Sequence, residues 1–342
     1  MSSINAQRVL ALAALALCGT AVAADISGAG ATFPYPIYSK WADAYKQQTG
    51  VGLNYQSIGS GGGIKQIKAK TVTFGATDMP LEATDLQASG LVQFPMIIGG
   101  VVPVVNVKGV QGGQMLLDGP TIASMYLGEI TRWNDPRIHK LNPSLSLPAT
   151  AIAPIYRSDG SGTNFLFSNY LSSVSPKFKE AVGASTAVQW PVGIGAKGNE
   201  GVANMTAQTD GAIGYVEYAY AKQNHMAYVD LTNAAGKKVA PEAQAFQAAA
   251  ANADWTHAAG YHVILTNQPG GTSWPITGAS FILVDATPPN PAATAAALKF
   301  FDWAFRSGSK MAADLDYVPL PESLVTQIRN TWKTQIKGIP AM

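Results

Sequence analysis

Three short segments rich in glycine, serine and threonine contain the residue types that bind anions. They are residues 28–33, 59–63 and 157–163. Each is followed by a helical pattern, and a helix N-terminus offers unpaired N–H groups and a partial positive charge that favour an anion. Three converging termini would therefore form a cage for a tetrahedral oxyanion. Taken singly, each segment also has the composition of an ordinary helix N-cap.

The third segment begins with two charged residues, Arg157 and Asp159, that could act as a pair. An arginine guanidinium is planar and can donate two hydrogen bonds to one oxyanion. Asp159 could hold that guanidinium in place through an ion pair. The alternative is a surface ion pair, which would contribute little.

Familiar enzyme and metal motifs do not fit the sequence. Residues 59–65 lack P-loop spacing, because Ile64 occupies the place of the second glycine. Residues 193–198 match a dinucleotide-binding string, but they follow Trp190 and Pro191, which is poor strand context. We therefore expect no catalytic residue, no cofactor and no metal site. The histidines lack metal-ligand spacing and are expected at the surface: His139, His225, His257 and His262.

The segments around the three turns alternate short apolar strands with amphipathic helices, which indicates an α/β architecture. Residues 51–55 and 72–76 have strand patterns, and residues 64–69 between them have a helical pattern. The first turn leads through Pro34 and Pro36 into a helix, since proline is tolerated in a first helical turn. The turns are thus predicted to lie at strand ends and helix starts.

Two long apolar stretches, residues 94–107 and 274–284, are candidates for connections between two lobes. If so, residues 25–100 and 277–342 form one discontinuous lobe, and residues 101–276 form a second lobe inserted between its halves. The alternative, equally favoured by the pattern, is that both stretches are core strands of one large sheet.

The first 24 residues have the pattern of a cleavable export signal, with Arg8 before an apolar run and small residues at 21–24. The run is shorter than the roughly 20 residues that span a bilayer. Cys18 is the only cysteine and lies inside this signal, so the mature chain is expected to contain no thiol. Lipid attachment at Cys18 is disfavoured, because Leu17 stands where a small residue is usual.

The charge of the chain excludes a nucleic-acid footprint. The whole sequence has 23 basic and 21 acidic side chains, and Arg8 is the only charged residue of the signal. A nearly neutral mature protein cannot attract an anion by its overall field, so local groups must select it.

At these residues the sequence resembles the periplasmic phosphate-binding proteins of bacterial phosphate ABC transporters. The similarity covers essentially the whole mature chain, in blocks at residues 28–34, 58–66, 74–80, 94–102, 159–165, 190–201, 211–223, 274–283 and 301–320. The resemblance implies a two-lobed, hinged α/β fold of the type II periplasmic-binding-protein class, with the ligand in the cleft between the lobes. It further implies periplasmic localisation, a monomer, and delivery of inorganic phosphate to a permease in the inner membrane.

The resemblance also implies a set of phosphate ligands, with Phe33 and Gly162 contributing backbone N–H groups. Asp159 would act as the partner of Arg157. The implied ligands are Thr32, Phe33, Ser60, Asp78, Arg157, Ser161, Gly162 and Thr163.

Asp78 is the most informative of these positions, because a carboxylate facing an anion is repulsive unless the ligand brings a proton. Hydrogenphosphate and dihydrogenphosphate carry a proton and sulfate does not, so Asp78 should reject sulfate. Without the resemblance, Asp78 would be interpreted as a turn aspartate after the strand at residues 72–76.

Two other functions stay open from the residues alone. The chain could be a phosphatase that retains its product in the same cage, although a nucleophile with a base or a metal is not recognisable. It could also bind another oxyanion such as sulfate. The favoured hypothesis is a phosphate transport receptor that closes over its ligand by a hinge motion and is not an enzyme.

Overall fold

The computed structural model describes residues 26–251 and 253–340. The export signal predicted for residues 1–24, including Arg8 and Cys18, lies outside these described residues. Within the described ranges, no helix combines the length and the apolar composition that crossing a bilayer requires.

The first part of the chain alternates strands and helices, as the sequence predicts. Its elements are β1 (Ile26–Gly30), α1 (Tyr35–Thr49), β2 (Leu53–Ser57), α2 (Ser60–Lys68), β3 (Phe74–Thr77) and α3 (Ala83–Ser89). β1 lies between β2 and β3 and is parallel to both. One face of α1 buries Ile37, Trp41 and Tyr45, at the spacing that a helix requires.

Helix α2 begins at Ser60, four residues earlier than the pattern from Ile64 suggested. The glycines at 61–63 therefore belong to its first turn. A Cβ at Gly63 would lie only 2.6 Å from the Ala29 carbonyl oxygen, so glycine lets the helix approach strand β1 closely. This contact holds Ser60 beside the end of β1.

The middle and the end of the chain continue the alternation. The middle elements are β4 (Leu91–Asn106), β5 (Leu116–Leu117), α4 (Gly119–Tyr126), α5 (Pro136–Leu141), β6 (Ala153–Arg157), α6 (Gly162–Val174), α7 (Pro176–Ala181), β7 (Ile194–Ala196), α8 (Gly198–Gln208), β8 (Ala212–Glu217), α9 (Tyr218–Gln223), β9 (Ala227–Tyr228), β10 (Asp230–Thr232), β11 (Lys238–Val239) and α10 (Ala243–Ala250). A short 3-10 turn at Ala259–Tyr261 precedes β12 (Thr277–Asp285), α11 (Pro291–Ser307), α12 (Ser309–Ala313) and α13 (Glu322–Gln335).

A nine-stranded mixed sheet connects the whole fold. Its order is β2-β1-β3-β12-β4-β8-β6-β7, with β9 also paired to β4, and a separate small sheet has the order β11-β10-β5. Both long apolar stretches of the sequence are therefore neighbouring strands of one sheet. The division into two lobes stays a prediction. β4 is buried along almost all of its length, as expected for a strand in the interior of a sheet covered on both faces.

Strand β4 has different partners along its two halves. Residues 91–100 pair antiparallel with β12, and residues 101–106 pair antiparallel with β8. At the change of partner, the Trp274 indole donates to the Val101 carbonyl at 2.9 Å, and the Val101 N–H donates to the Ile276 carbonyl at 2.8 Å. The segment that leads into β12 is thus fixed to β4 at residue 101, the first residue of the predicted inserted lobe.

Candidate anion-binding site

The three predicted turns lie at the carboxyl ends of strands β1, β2 and β6, and Asp78 lies at the carboxyl end of β3. Thr32 and Phe33 follow β1, Asp78 follows β3, and Arg157 is the last residue of β6. β1 and β3 are parallel neighbours, so the residues that follow them emerge at the same edge of the sheet. The carboxyl ends of strands are the usual location of ligand sites in α/β sheets.

Ser60 joins the second turn to the third. Its hydroxyl oxygen accepts the N–H of Asp78 at 3.1 Å and the N–H of Gly162 at 3.0 Å. Beside it, the Gly61 N–H donates to the Gly160 carbonyl at 2.9 Å. Because the Ser60 oxygen already accepts two donors, the hydroxyl proton can be donated to a third group.

Arg157 has a fixed orientation and retains donor capacity. Its Nε and Nη2 donate to the two carboxylate oxygens of Asp159 at 2.8 and 2.6 Å, and its Nη1 donates to the Thr32 hydroxyl at 3.2 Å. A guanidinium has five N–H hydrogens, so one hydrogen on each terminal nitrogen stays available. These two hydrogens form the planar pair of donors that an oxyanion needs.

The Arg157–Asp159 pair is buried, so the surface ion pair considered above is wrong. The Arg157 side chain is 1% exposed and the Asp159 side chain 12%. Burial alone would raise the pKa of Asp159, but the hydrogen bonds and charge of Arg157 hold it below its usual range. The Gly198 N–H also donates to Asp159, at 3.1 Å. A Cβ at Gly59, whose φ is +87°, would lie 2.5 Å from an Asp159 oxygen, so this glycine is required.

The start of helix α6 contributes three of the predicted residues. Ser161 is the N-cap, and its hydroxyl oxygen accepts the Asn164 N–H at 3.0 Å. Gly162 and Thr163 occupy the first turn, where N–H groups have no partner within the helix. A Cβ at Gly162 would lie 2.5 Å from Asp78. Glycine there allows the helix start and the carboxyl group to lie in contact.

Asp78 is buried and differs from an ordinary turn aspartate. It is 1% exposed, and among the described residues neither of its carboxyl oxygens has a hydrogen bond of good geometry, although the Ser280 and Ser60 hydroxyls lie nearby. Burial raises its pKa to about 7, while the Ser280 hydroxyl, the Arg157 charge and the Ser60 hydroxyl oppose the shift. Asp78 can therefore exchange a proton near neutral pH. An unpaired buried carboxyl is costly, and a ligand that hydrogen-bonds to it removes that cost.

Phe33 is fixed by the C-terminal part of the chain. The Tyr317 hydroxyl donates to the Phe33 carbonyl at 2.7 Å, and the two rings meet edge to face with centroids 6.2 Å apart. The same hydroxyl lies 2.8 Å from a carboxyl oxygen of Glu217, which is buried and has a strongly raised pKa because of that burial. The backbone of the first turn is thus fixed by residues more than 180 positions away in the sequence.

Two residues that touch the site are not among the sequence predictions. The Asn199 amide donates to the Thr32 hydroxyl at 2.6 Å, and the Tyr220 hydroxyl donates to the Thr32 carbonyl at 2.7 Å. Asn199 lies in a fourth turn that opens a helix, directly after Gly198. The glycine-rich string at residues 193–198 marks a turn before this helix, and residues 190–201 belong to the resemblance, but neither signal singles out Asn199.

Residues 193–198 do not form a dinucleotide fingerprint, because strand β7 lies inside the string instead of preceding it. The histidines also lie where the sequence places them. His139, His225 and His257 are exposed, and His262 is half-buried beside Glu82. Across residues 26–251 and 253–340, no three His, Cys, Asp or Glu side chains gather closely enough to hold a metal ion.

All the predicted ligands are therefore close together, and all of them except Asp78 offer hydrogen-bond donors. Hydroxyl groups, backbone N–H groups and the Arg157 guanidinium supply donors, whereas Asp78 supplies a carboxyl group that titrates near pH 7. Such a site can bind an oxyanion with many acceptor oxygens and one proton. The assignment of each residue as a ligand stays a prediction.

The titration of Asp78 predicts a pH dependence of stability. The folded protein holds this proton more tightly than the unfolded chain, so the free energy of unfolding should fall as pH rises from about 4 to about 7. The expected loss is about 4 kcal/mol, at about 1.4 kcal/mol per tenfold change in proton affinity. Urea unfolding at pH 4 and pH 8 in phosphate-free buffer measures most of it.

Other buried carboxyls, including Glu217 and Asp285, also have raised pKa values, so the wild type alone does not isolate Asp78. The Asp78→Asn variant should lose only the Asp78 part of the pH dependence. Parallel pH profiles for the wild type and Asp78→Asn would contradict the assignment.

Comparison with known proteins identifies the family of the chain. The family model of the PBP superfamily domain matches residues 19–307. The phosphate-binding protein PstS of Pasteurella multocida is 55% identical over 319 residues, which cover 93% of this chain and 93% of that protein. The corresponding protein of Haemophilus influenzae is 54% identical, with coverage of 93% and 95%.

Solved structures share the fold at much lower sequence identity. A high-affinity periplasmic phosphate-binding protein, PfluDING, bound with phosphate, has a TM-score of 0.70 and 20% identity, and the match covers 90% of this chain and 93% of that chain. An ABC-type phosphate transport receptor from Vibrio cholerae has a TM-score of 0.55 and 17% identity, with coverage of 87% and 100%. The α/β fold is thus that of the periplasmic binding proteins, and the high identity to curated relatives narrows the assignment. The chain belongs to the PBP superfamily and, within it, to the family of PstS phosphate-binding proteins.

Proposed function

We propose that this protein binds inorganic phosphate with high affinity and delivers it to the permease of an ABC-type phosphate importer. The observation that carries the proposal is the position of Asp78, a buried carboxyl group that titrates near pH 7 among hydrogen-bond donors. A ligand for this site needs several acceptor oxygens and one proton. Hydrogenphosphate and dihydrogenphosphate meet both conditions.

The proposed ligands include charged, hydroxyl and backbone donors, and they come from segments before and after strand β4 in the sequence. Ser60 and Gly162, which lie on opposite sides of β4 in the sequence, are already in hydrogen-bond contact. The full set is Thr32, Phe33, Ser60, Asp78, Arg157, Ser161, Gly162 and Thr163, with Asp159 positioning Arg157.

We assign residues 25–100 and 277–342 to one lobe and residues 101–276 to the other. The change of partner along β4 at residue 101 supports this division. Contacts such as Gly61 N–H to the Gly160 carbonyl would then cross the cleft, and ligand contacts to both lobes would favour closure. Opening at β4 and β12 would admit the ligand.

The protein acts outside the cytoplasm in this proposal. Removal of the signal at residues 1–24 would release a monomeric receptor into the periplasm, where it meets the permease. The curated relatives are named for binding, and no observation in the site favours the phosphatase alternative.

Isothermal titration of the mature protein with phosphate and with sulfate tests the proposal. At pH 8.5, where Asp78 is mostly ionised, phosphate should bind tightly with one-to-one stoichiometry, and sulfate should bind far more weakly. High salt should change the phosphate affinity little, because the site is buried and the protein is nearly neutral overall. Equal binding of both anions, or no binding of either, would overturn the proposal.

A further inference from the structure

Asn199 is a fully buried polar residue at the start of helix α8, and its amide has a defined orientation. The amide oxygen accepts the backbone N–H of Glu217 at 2.9 Å. Since a backbone N–H can only donate, this contact identifies the oxygen end of the Asn199 amide. The nitrogen end must therefore face the opposite way, into the anion site.

The two hydrogens of the Asn199 amide nitrogen have two acceptors. Nδ2 lies 2.6 Å from the Thr32 hydroxyl oxygen and 3.1 Å from the Thr163 hydroxyl oxygen. Thr32 follows strand β1, whereas Thr163 belongs to the first turn of α6. One side chain thus donates to hydroxyl groups from both of the proposed lobes.

This arrangement determines where the hydroxyl protons can go. The Thr32 oxygen also faces Arg157 Nη1 at 3.2 Å and the Asn199 backbone N–H at 3.3 Å, which are both donors. A hydroxyl group surrounded by donors must send its own proton to an acceptor elsewhere. The Thr163 oxygen accepts from the Asn199 amide, which occupies one of its two lone pairs and restricts the directions that its proton can take.

We infer that Asn199 is a positioning residue that orients the hydroxyl groups of Thr32 and Thr163 as donors toward the bound anion. Without its amide, the Thr163 oxygen would lose this donor, and the Thr32 oxygen would keep only Arg157 Nη1 and the Asn199 backbone N–H, so each hydroxyl would be freer to present a lone pair to the ligand. With the amide in place, both hydroxyls are biased toward donating to anionic acceptor oxygens. The inference rests on the proposed function, because it concerns how the same site selects its ligand.

A double-mutant cycle tests whether Asn199 acts through these hydroxyls. Asn199→Ala is compared in two backgrounds, the wild type and the variant Thr32→Val/Thr163→Val, which removes both hydroxyl groups and largely preserves their shape. Phosphate affinity is measured by isothermal titration. In the wild-type background, Asn199→Ala should weaken binding by about tenfold or more, the order expected for hydrogen bonds to a charged group. In the valine background, the same change should weaken binding by less than about twofold.

A second variant keeps the test valid if Asn199→Ala fails to fold. Asn199→Asp preserves the shape and the acceptor for the Glu217 N–H. Its second carboxylate oxygen, however, would accept the threonine hydroxyl protons, whereas the asparagine nitrogen donates to the threonine oxygens. Its negative charge repels phosphate in both backgrounds, so the cycle removes that effect. The loss of affinity should again be larger with the threonines present.

The experiment distinguishes a failure of the inference from a failure of the proposed function. Equal losses in the two backgrounds would show that Asn199 only supports the fold, and would overturn the inference while phosphate still binds the wild type. Failure of the wild type to bind phosphate in the same series would instead overturn the proposed function.

Discussion

Replacing Asp78 with asparagine is expected to remove most of the discrimination against sulfate. Asp78 is buried and titrates near pH 7, so an anion beside it must share a proton with it. Sulfate has no proton at this pH, so it can bind without repulsion only when Asp78 itself is protonated, whereas phosphate can bring the proton. Protonating Asp78 costs about 1.4 kcal/mol for each pH unit above its pKa of about 7, so the preference for phosphate should grow about tenfold per pH unit above pH 7. Asparagine is neutral and offers an N–H donor, so sulfate affinity should rise toward that of phosphate and this pH dependence should disappear.

Competition titrations with phosphate and sulfate at pH 7 and at pH 9, above the pKa of Asp78, measure this ratio. Asp43→Asn is the matched control, because it makes the same chemical change at an exposed position of helix α1. It should leave the preference for phosphate unchanged. If Asp78→Asn rejects sulfate as strongly as the wild type does, Asp78 does not determine the selectivity and another feature of the site must.

Replacing Arg157 with alanine should weaken phosphate binding by about 30-fold to several thousandfold. The guanidinium supplies two free hydrogens on adjacent nitrogens in a site where its side chain is 1% exposed. Truncating one partner of a buried, hydrogen-bonded charge pair costs about 2–5 kcal/mol or more in binding. The change also leaves Asp159 without its partner, which should lower the free energy of unfolding by about 3–5 kcal/mol.

The double variant Arg157→Ala/Asp159→Ala separates the two effects of this change. Removing Asp159 as well eliminates the unpaired buried carboxylate, so stability measured by urea unfolding should largely recover. Phosphate affinity measured by titration should not recover, because the donors to the anion are still missing. Recovery of both would mean that Arg157 serves the fold and makes no direct contribution to binding.

The local elements could be predicted well from the sequence because their signals are short-range. Alternating apolar residues gave strands close to β2 and β3, and the buried face of α1 follows from the spacing of Ile37, Trp41 and Tyr45. The error at α2 has a clear cause. Three consecutive glycines have low helix propensity, but close packing of Gly63 against β1 outweighs that preference.

The site was predictable in part, from its turns and from the family resemblance. The glycine, serine and threonine composition of three turns marked them as anion-binding candidates, and the resemblance named Asp78, which composition alone would have left as a turn residue. Asn199 was missed because its hydrogen bond to Thr32 joins residues 167 positions apart. A buried asparagine has no sequence pattern of its own, since its partners are brought to it by packing.

The sequence by itself determined the α/β class, the positions of the turns and the near-neutral charge that requires local selection of an anion. These properties depend on neighbouring residues or on composition, and they can be read along the chain. Only the tertiary structure decided that β4 joins both halves of the sheet, that Arg157 and Asp159 are buried, and that Asp78 titrates near pH 7. The physical reason is that burial and hydrogen-bond partners depend on which distant segments pack together. The desolvation that raises the pKa of a carboxyl group arises only from that packing.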